Sequence, residues 1–150
     1  MNKETLFSKK SDEWSTPQSF YDNLDLYYNF VFDLACSKEN CKTADGYTIE
    51  DNALEQDWYQ ITTETDGGWL WLNPPYSKCN EFADKSYSEM QLGAKIVMLI
   101  PSRTDTKWFH NFIYKQEGVT IEFIKGRLKF SDSKNSAPFP SMLVTFNKNI

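Results

Sequence analysis

The 150-residue chain is 40% hydrophobic and 16% aromatic, enough to bury a core as one domain without metal or disulfide staples. Its longest apolar stretch, Ile96 to Ile100, falls far short of the roughly 20 residues that span a bilayer, and the opening MNKETLFSKK has no apolar signal core, so a cytoplasmic protein without a membrane partner is expected. A net charge of −5 counts at first against a nucleic-acid partner, because Lys and Arg neutralising phosphates supply most non-specific affinity for DNA.

A single domain is expected over residues 1–150, with a flexible start over 1–11. WSTPQSFYDNLDLYY then opens a helix: Thr16 can cap, Pro17 suits the first helical position, and Phe20, Leu24 and Tyr27 recur at helical spacing. NFVFDLAC reads as a short strand ending in Asp33, followed by the small residues Ala35 and Cys36. From Ser37 to Gly68 polarity is mixed and periodicity weak, which predicts loops with one short helix or strand. WLWLN is a strand, and Ser77 after the two prolines can cap a helix with Cys79, Phe82, Ala83, Ser86 and Met90 on one face, stopped by Gly93.

KIVMLIP is apolar on both faces, as a central parallel strand would be, and DTKWFHNFIYKQ supplies the next helix through Trp108, Phe109, Phe112 and Ile113. His110 on that helix reads as a residue without catalytic duty. VTIEFI, RLKF after a Lys125-Gly126 turn, and SMLVTF read as closing strands. Strands alternating with helices, then strands on short links, predict an α/β sheet that is mainly parallel with an antiparallel edge.

Cys36, Cys41 and Cys79 form an odd set without CxxC spacing, so reduced thiols and no metal are expected. The net charge hides an asymmetry. Between Ser11 and Asp66 thirteen acids face only Lys38 and Lys42, whereas between Pro101 and Phe130 six cations face three acids. The pattern fits two ordinary solvated faces; it equally fits a cationic ligand on the first half and an anionic one on the second.

Asn73, Pro74, Pro75 and Tyr76 leave the WLWLN strand where open α/β sheets bind ligands, beyond the carboxyl ends of their strands. Proline has no backbone donor and fixes φ, and Pro75 restricts Pro74, so the turn is rigid with outward carbonyls. It can serve as a stiff strand-to-helix link and nothing more. It can also place two acceptors, the Asn73 side-chain oxygen and the Pro74 carbonyl, beside the Tyr76 ring, a pocket for a flat ring bearing an amino group. The lone pair of such an amine is delocalised, and two accepted hydrogen bonds return density to nitrogen for attack on an electrophilic methyl held in line.

At these residues the chain resembles the phage-type, Dam-like DNA N-6-adenine methyltransferases. Besides NPPY it carries EWSTPQSFYDNL, FDLAC with Asn40 following, DNALEQDW, LIPSRTDTKWFH, KGRLKF and APFPSMLVTF, in the family's order over about residues 12–146. NPPY alone is shared with methyltransferases acting on RNA and on protein glutamine; the combination with WSTP and GRLKF is narrower. The resemblance implies a Rossmann-like, S-adenosylmethionine-dependent methyltransferase, adenine-specific, acting on double-stranded DNA with the target base flipped out of the helix. It implies cofactor contacts at Trp14, Thr16, Pro17, Asp33, Ala35 and Asn73, with Trp14 alternatively a core residue and Asp33 alternatively a loop acid.

Arg103, Lys107, Lys125, Arg127, Lys129 and Lys134 are the candidate phosphate contacts. DLACSKEN stands where many methyltransferases place a glycine-rich turn, which leaves that loop's cofactor contacts open. A monomer or weak dimer is expected. The rival readings are an RNA-adenine or cytosine-N4 acceptor, and a methyltransferase-like binding module without catalysis.

Overall fold

A computed structural model describes residues 14–130 and 136–149. Lys134 and the start over residues 1–11 lie outside the described residues. Helix α1 (Gln18–Tyr28) leads to strand β1 (Phe32–Asp33), two single-turn 3₁₀ helices, helix α2 (Trp58–Glu64) and strand β2 (Trp69–Leu72). Helix α3 (Cys79–Leu92), strand β3 (Lys95–Pro101), helix α4 (Lys107–Phe112) and strands β4 (Val119–Phe123) and β5 (Ser141–Phe146) follow.

The strands make one five-stranded sheet in the order β1-β2-β3-β5-β4. β1, β2 and β3 pair in parallel, and β5 pairs antiparallel with both β3 and β4. The expected antiparallel strand is therefore present but displaced. β5 is inserted between β3 and β4, and the sheet edge on that side is β4, which runs in the direction of β3.

Strand alternation divides the core into two. Leu70, Leu72, Ile96, Met98, Ile100, Met142, Val144 and Phe146 face α2, α3 and α4, where Trp58, Phe82, Ala83, Met90, Phe109 and Ile113 meet them. Trp71, Val97, Leu99 and Leu143 face the other way and are covered by Tyr21 of α1, Phe30, Phe130 and Ala137. β3 is buried along its length beyond Lys95 because both faces are covered, as its unbroken apolar run requires. The predicted face of α3, Cys79, Phe82, Ala83, Ser86 and Met90, is the buried one, and Gly93 ends the helix at φ 125°.

Several local expectations are corrected. Pro17 is the residue before α1, not its first helical residue, and Thr16 does not cap it. The buried tyrosine of α1 is Tyr21, whereas Tyr27 is 82% exposed. Ser77 lies within a 3₁₀ turn, Tyr76–Lys78, and α3 starts after it. RLKF is not a strand: the chain reverses at Gly126, φ 74°, and the Leu128 carbonyl accepts from Ala137 N at 2.8 Å, so this segment folds over the sheet instead of extending it.

The stretch of mixed polarity before β2 contains α2, whose Trp58 is fully buried, with its indole donating to the Ala53 carbonyl at 2.8 Å. The expectation of three reduced thiols is also corrected. Cys36 and Cys41 are joined as a disulfide, and Cys79 is free and buried. No helix among the described residues is long and apolar enough to cross a membrane.

Candidate active site at the carboxyl edge of the sheet

The parallel strands β1 and β2 end side by side, Asp33 opposite Trp71, and the loops leaving them enclose a cavity of about 620 Å³. Such a volume suits a small organic ligand. Its wall includes Trp14, Thr16, Asp33, Ala35, Asn73, Pro74 and Pro75, all separately singled out in the sequence. Pro17 is absent from that wall.

Asp33 is 2% exposed. Its carboxylate accepts from Ala35 N at 3.2 Å and Lys42 N at 3.0 Å, so it folds the loop after β1 back on itself. Burial pushes its pKa up to about 6 against these two hydrogen bonds, which act to lower it. Residues 45–47 run alongside β1: Asp33 N donates to the Asp45 carbonyl, and Tyr47 N donates to the Asp33 carbonyl.

Gly46 is required in that pairing. A Cβ there would lie 2.7 Å from Cys36 Sγ, 2.8 Å from Cys41 Sγ and 2.9 Å from the Asp33 carbonyl. Asp33, Cys36 and Cys41 also place possible metal-ligand atoms within 4.8 Å of one another.

The expected acidic wall is mixed. Asp33, Glu39 and Glu50 line the cavity together with Lys38, Lys42 and Lys78. Asp33 is the buried member of this set, so it carries the wall's strongest preference for a cation in a low dielectric.

Asn73 lies at the cavity wall directly beyond β2. Its Nδ2 donates to the Trp14 carbonyl and, at 3.0 Å, to Thr16 Oγ1. Its Oδ1 accepts from the Tyr76 hydroxyl at 2.8 Å. A carboxamide oxygen has two lone pairs, so one acceptor site remains beyond the bond from Tyr76. Burial holds the Tyr76 phenol well above its ordinary pKa, which keeps the hydroxyl protonated and donating.

Tyr76 is not part of the cavity wall. Its ring lies edge-on to Phe139 at 5.6 Å and to Phe130 at 6.4 Å. Trp14 makes the same kind of contact with both, at 5.3 and 5.4 Å, so it is at once a packing residue and part of the cavity wall. Phe130 and Phe139 were not among the sequence candidates. They flank a polar stretch, SDSKNSAP, whose composition carries no periodic signal.

The basic candidates emerge at this same sheet edge. β3 ends at Pro101 opposite Ser141, and β4 ends at Phe123 opposite Met142. Arg103, Lys107, Lys125, Arg127 and Lys129 follow these ends and are exposed; Lys134 lies outside the described residues. His110 is exposed on α4 with Nε2 at 2.8 Å from the Thr104 carbonyl, so that nitrogen carries the donated proton.

A family model described as DNA N-6-adenine-methyltransferase (Dam) matches residues 3–148. A protein of Haemophilus phage HP1 named DNA N-6-adenine-methyltransferase is 33% identical over 150 aligned residues, which cover 93% of this chain and 82% of that protein. One of Escherichia phage T1 with the same name is 34% identical over 99 residues, 65% of this chain and 39% of its own length.

Proposed function

Because this chain belongs to the DNA N-6-adenine-methyltransferase family, we propose that it transfers a methyl group from S-adenosylmethionine to N6 of adenine in double-stranded DNA. The observation that carries this reading is the Asn73 carboxamide. Its oxygen is turned toward Tyr76 with an acceptor site to spare, at the meeting point of a ligand-sized cavity and an aromatic cluster.

In this reading the donor occupies the cavity between Trp14, Asp33, Ala35 and Asn73, and the adenine lies against Tyr76. Pro17 acts only by starting α1 behind that wall. When bound, S-adenosylmethionine supplies an electrophilic methyl on a sulfonium. Asp33 offers the buried negative charge that a cationic donor requires, and the mixed apolar and polar wall fits a nucleoside joined to an amino acid.

Adenine N6 carries two hydrogens. Asn73 Oδ1 accepts one and the Pro74 carbonyl accepts the other, which returns lone-pair density to nitrogen and orients it. Pro75 keeps that carbonyl in place by restricting its neighbour's backbone. Tyr76 stacks on the ring and, through its hydroxyl, holds the Asn73 oxygen. As N6 accepted the methyl, the methyl–sulfur bond would break with its electron pair retained by the departing thioether, and the surplus proton on N6 would leave along one of these hydrogen bonds to water. Reaching N6 requires the base to leave the duplex, at a cost of a few kcal/mol, which the cations beyond β3 and β4 offset through phosphate contacts. Since that substrate is found in the host cell, the host cytoplasm is the expected place of action.

The test is transfer of labelled methyl from S-adenosylmethionine to unmethylated duplex DNA. Wild type should label N6 of adenine, and Asn73→Ala should lower the rate by at least about 10²–10³-fold, the effect of losing a preorganised polar group at a reacting centre. Donor binding without incorporation into DNA would overturn the reading, and incorporation into single-stranded RNA instead would replace its substrate.

A further inference from the structure

We propose that Thr16 is a positioning residue that holds the Asn73 carboxamide in the polarity imposed by the acceptor-only Trp14 carbonyl, a role that rests on the reading of Asn73 as the amine's acceptor. A carboxamide has two orientations of nearly equal shape, related by a half-turn about its terminal bond. Only one puts oxygen toward the amine. The other presents an NH₂ to an NH₂, donor to donor, and disables the site without changing its form.

The choice is made at the far side of the group by residues 57 and 59 positions earlier in the chain. The Trp14 carbonyl can only accept, so the atom facing it must be Nδ2. Thr16 Oγ1, at 3.0 Å, takes the second Nδ2 hydrogen. Thr16 is 2% exposed, so water does not readily replace it as acceptor. Reversal of the amide would set two oxygens against each other at Trp14, and it would remove the oxygen that accepts from the Tyr76 hydroxyl at 2.8 Å. Asn73 is thus held by three partners in the one orientation that leaves an oxygen lone pair for substrate. The dipeptide Thr16-Pro17 serves this lock from the residue before α1, with Pro17 fixing where the helix begins.

The full chain carrying Thr16→Val, which keeps the shape and loses the acceptor, is compared with Thr16→Ser, which keeps the hydroxyl. Under saturating donor and DNA, Thr16→Val should lower kcat by about ten- to a hundredfold, the range for loss of one hydrogen bond to a buried polar group. The KM for DNA should stay near wild type, donor Kd should change by less than kcat although Thr16 is part of the cavity wall, and Thr16→Ser should restore kcat. In protein labelled with ¹⁵N at asparagine, the Asn73 side-chain NH₂ signal should exchange slowly with solvent in wild type and Thr16→Ser, and fast in Thr16→Val. Thr16→Ala gives the same comparison if the valine variant does not fold. An unchanged kcat with unchanged exchange overturns the proposal, as does a loss confined to donor Kd, which would make Thr16 a donor contact. If wild type transfers no methyl group, it is the function reading that fails, and the exchange measurement alone decides the lock.

Discussion

At the residue scale, the burial of Asp33 makes the site sensitive to pH in a definite direction. Its folded-state pKa, about 6, stands above the ordinary value of 3.8 because desolvation outweighs two donated hydrogen bonds. The folded chain therefore holds a proton that the unfolded chain releases, and stability falls as pH rises from about 4 to about 6, by on the order of 3 kcal/mol, then levels off. Binding of a cationic donor runs the opposite way. Only ionised Asp33 attracts it, so donor affinity should rise between about pH 5 and pH 7, and Asp33→Asn should flatten both profiles. Calorimetric titration with S-adenosylmethionine across this range checks the second, and thermal melts check the first. Asp33 and NPPY were legible because each ends a strand at the edge where such sheets bind ligands. Phe130, Phe139 and Gly46 were not, since their importance comes from what lies opposite them: Gly46 sits against two sulfurs and a carbonyl from other parts of the loop.

At the scale of elements, those that declare themselves through their own apolar pattern were readable as elements, namely α1, β2, α3, β3 and α4, although the buried face of α1 was not, since Tyr21 is covered where Tyr27 was expected to be. The position of β5 was not, because the hydrophobicity of KIVMLIP says that both faces and both edges are covered without saying by which strand. RLKF alternates like a strand, yet its Leu128 carbonyl and Phe130 ring are used in holding the loop against Trp14. Helix α2 was hidden because its brevity conceals periodicity and its anchor lies elsewhere. Glu89 of α3, 2% exposed, accepts from Trp58 N at the first residue of α2 and lies 3.6 Å from Lys85 Nζ. Glu89→Ala would leave that N–H buried and unpaired, at a cost of about 1–3 kcal/mol, whereas Glu89→Gln keeps an acceptor and should lose less. Thermal denaturation of the two variants gives the comparison, with equal losses arguing against this anchoring role. Gly46→Ala should act on the other side of the cavity. It must push the Asp33 backbone or the Cys36–Cys41 ring aside, so donor affinity should fall; an unchanged Kd would show that the loop yields without cost.

For the whole molecule, the net charge of −5 opposes the polyanionic substrate of the proposed function, and the placement of the cations is what would offset it. All four strands that run in the β3 direction, β1, β2, β3 and β4, end at one edge. The cavity lies at the ends of β1 and β2, whereas Arg103, Lys107, Lys125, Arg127 and Lys129 follow β3 and β4. A duplex meeting this edge would be held by the second group while an extruded base reaches Asn73 beside the first. Most of the acids lie between Ser11 and Asp66, away from these segments in the chain, and lower non-specific affinity. Binding should accordingly weaken steeply with salt, log K falling against log salt with a slope of about −0.9 per phosphate neutralised. The Arg127→Ala, Lys129→Ala double variant should reduce the magnitude of that slope by about 2, with donor Kd unchanged because neither residue lines the cavity. Lys38→Ala, which alters the cavity wall instead, should leave the slope as it is. Fluorescence anisotropy with a labelled duplex at several salt concentrations separates the two variants. An unaltered slope in the double variant would mean that the duplex docks elsewhere than on the segment after β4.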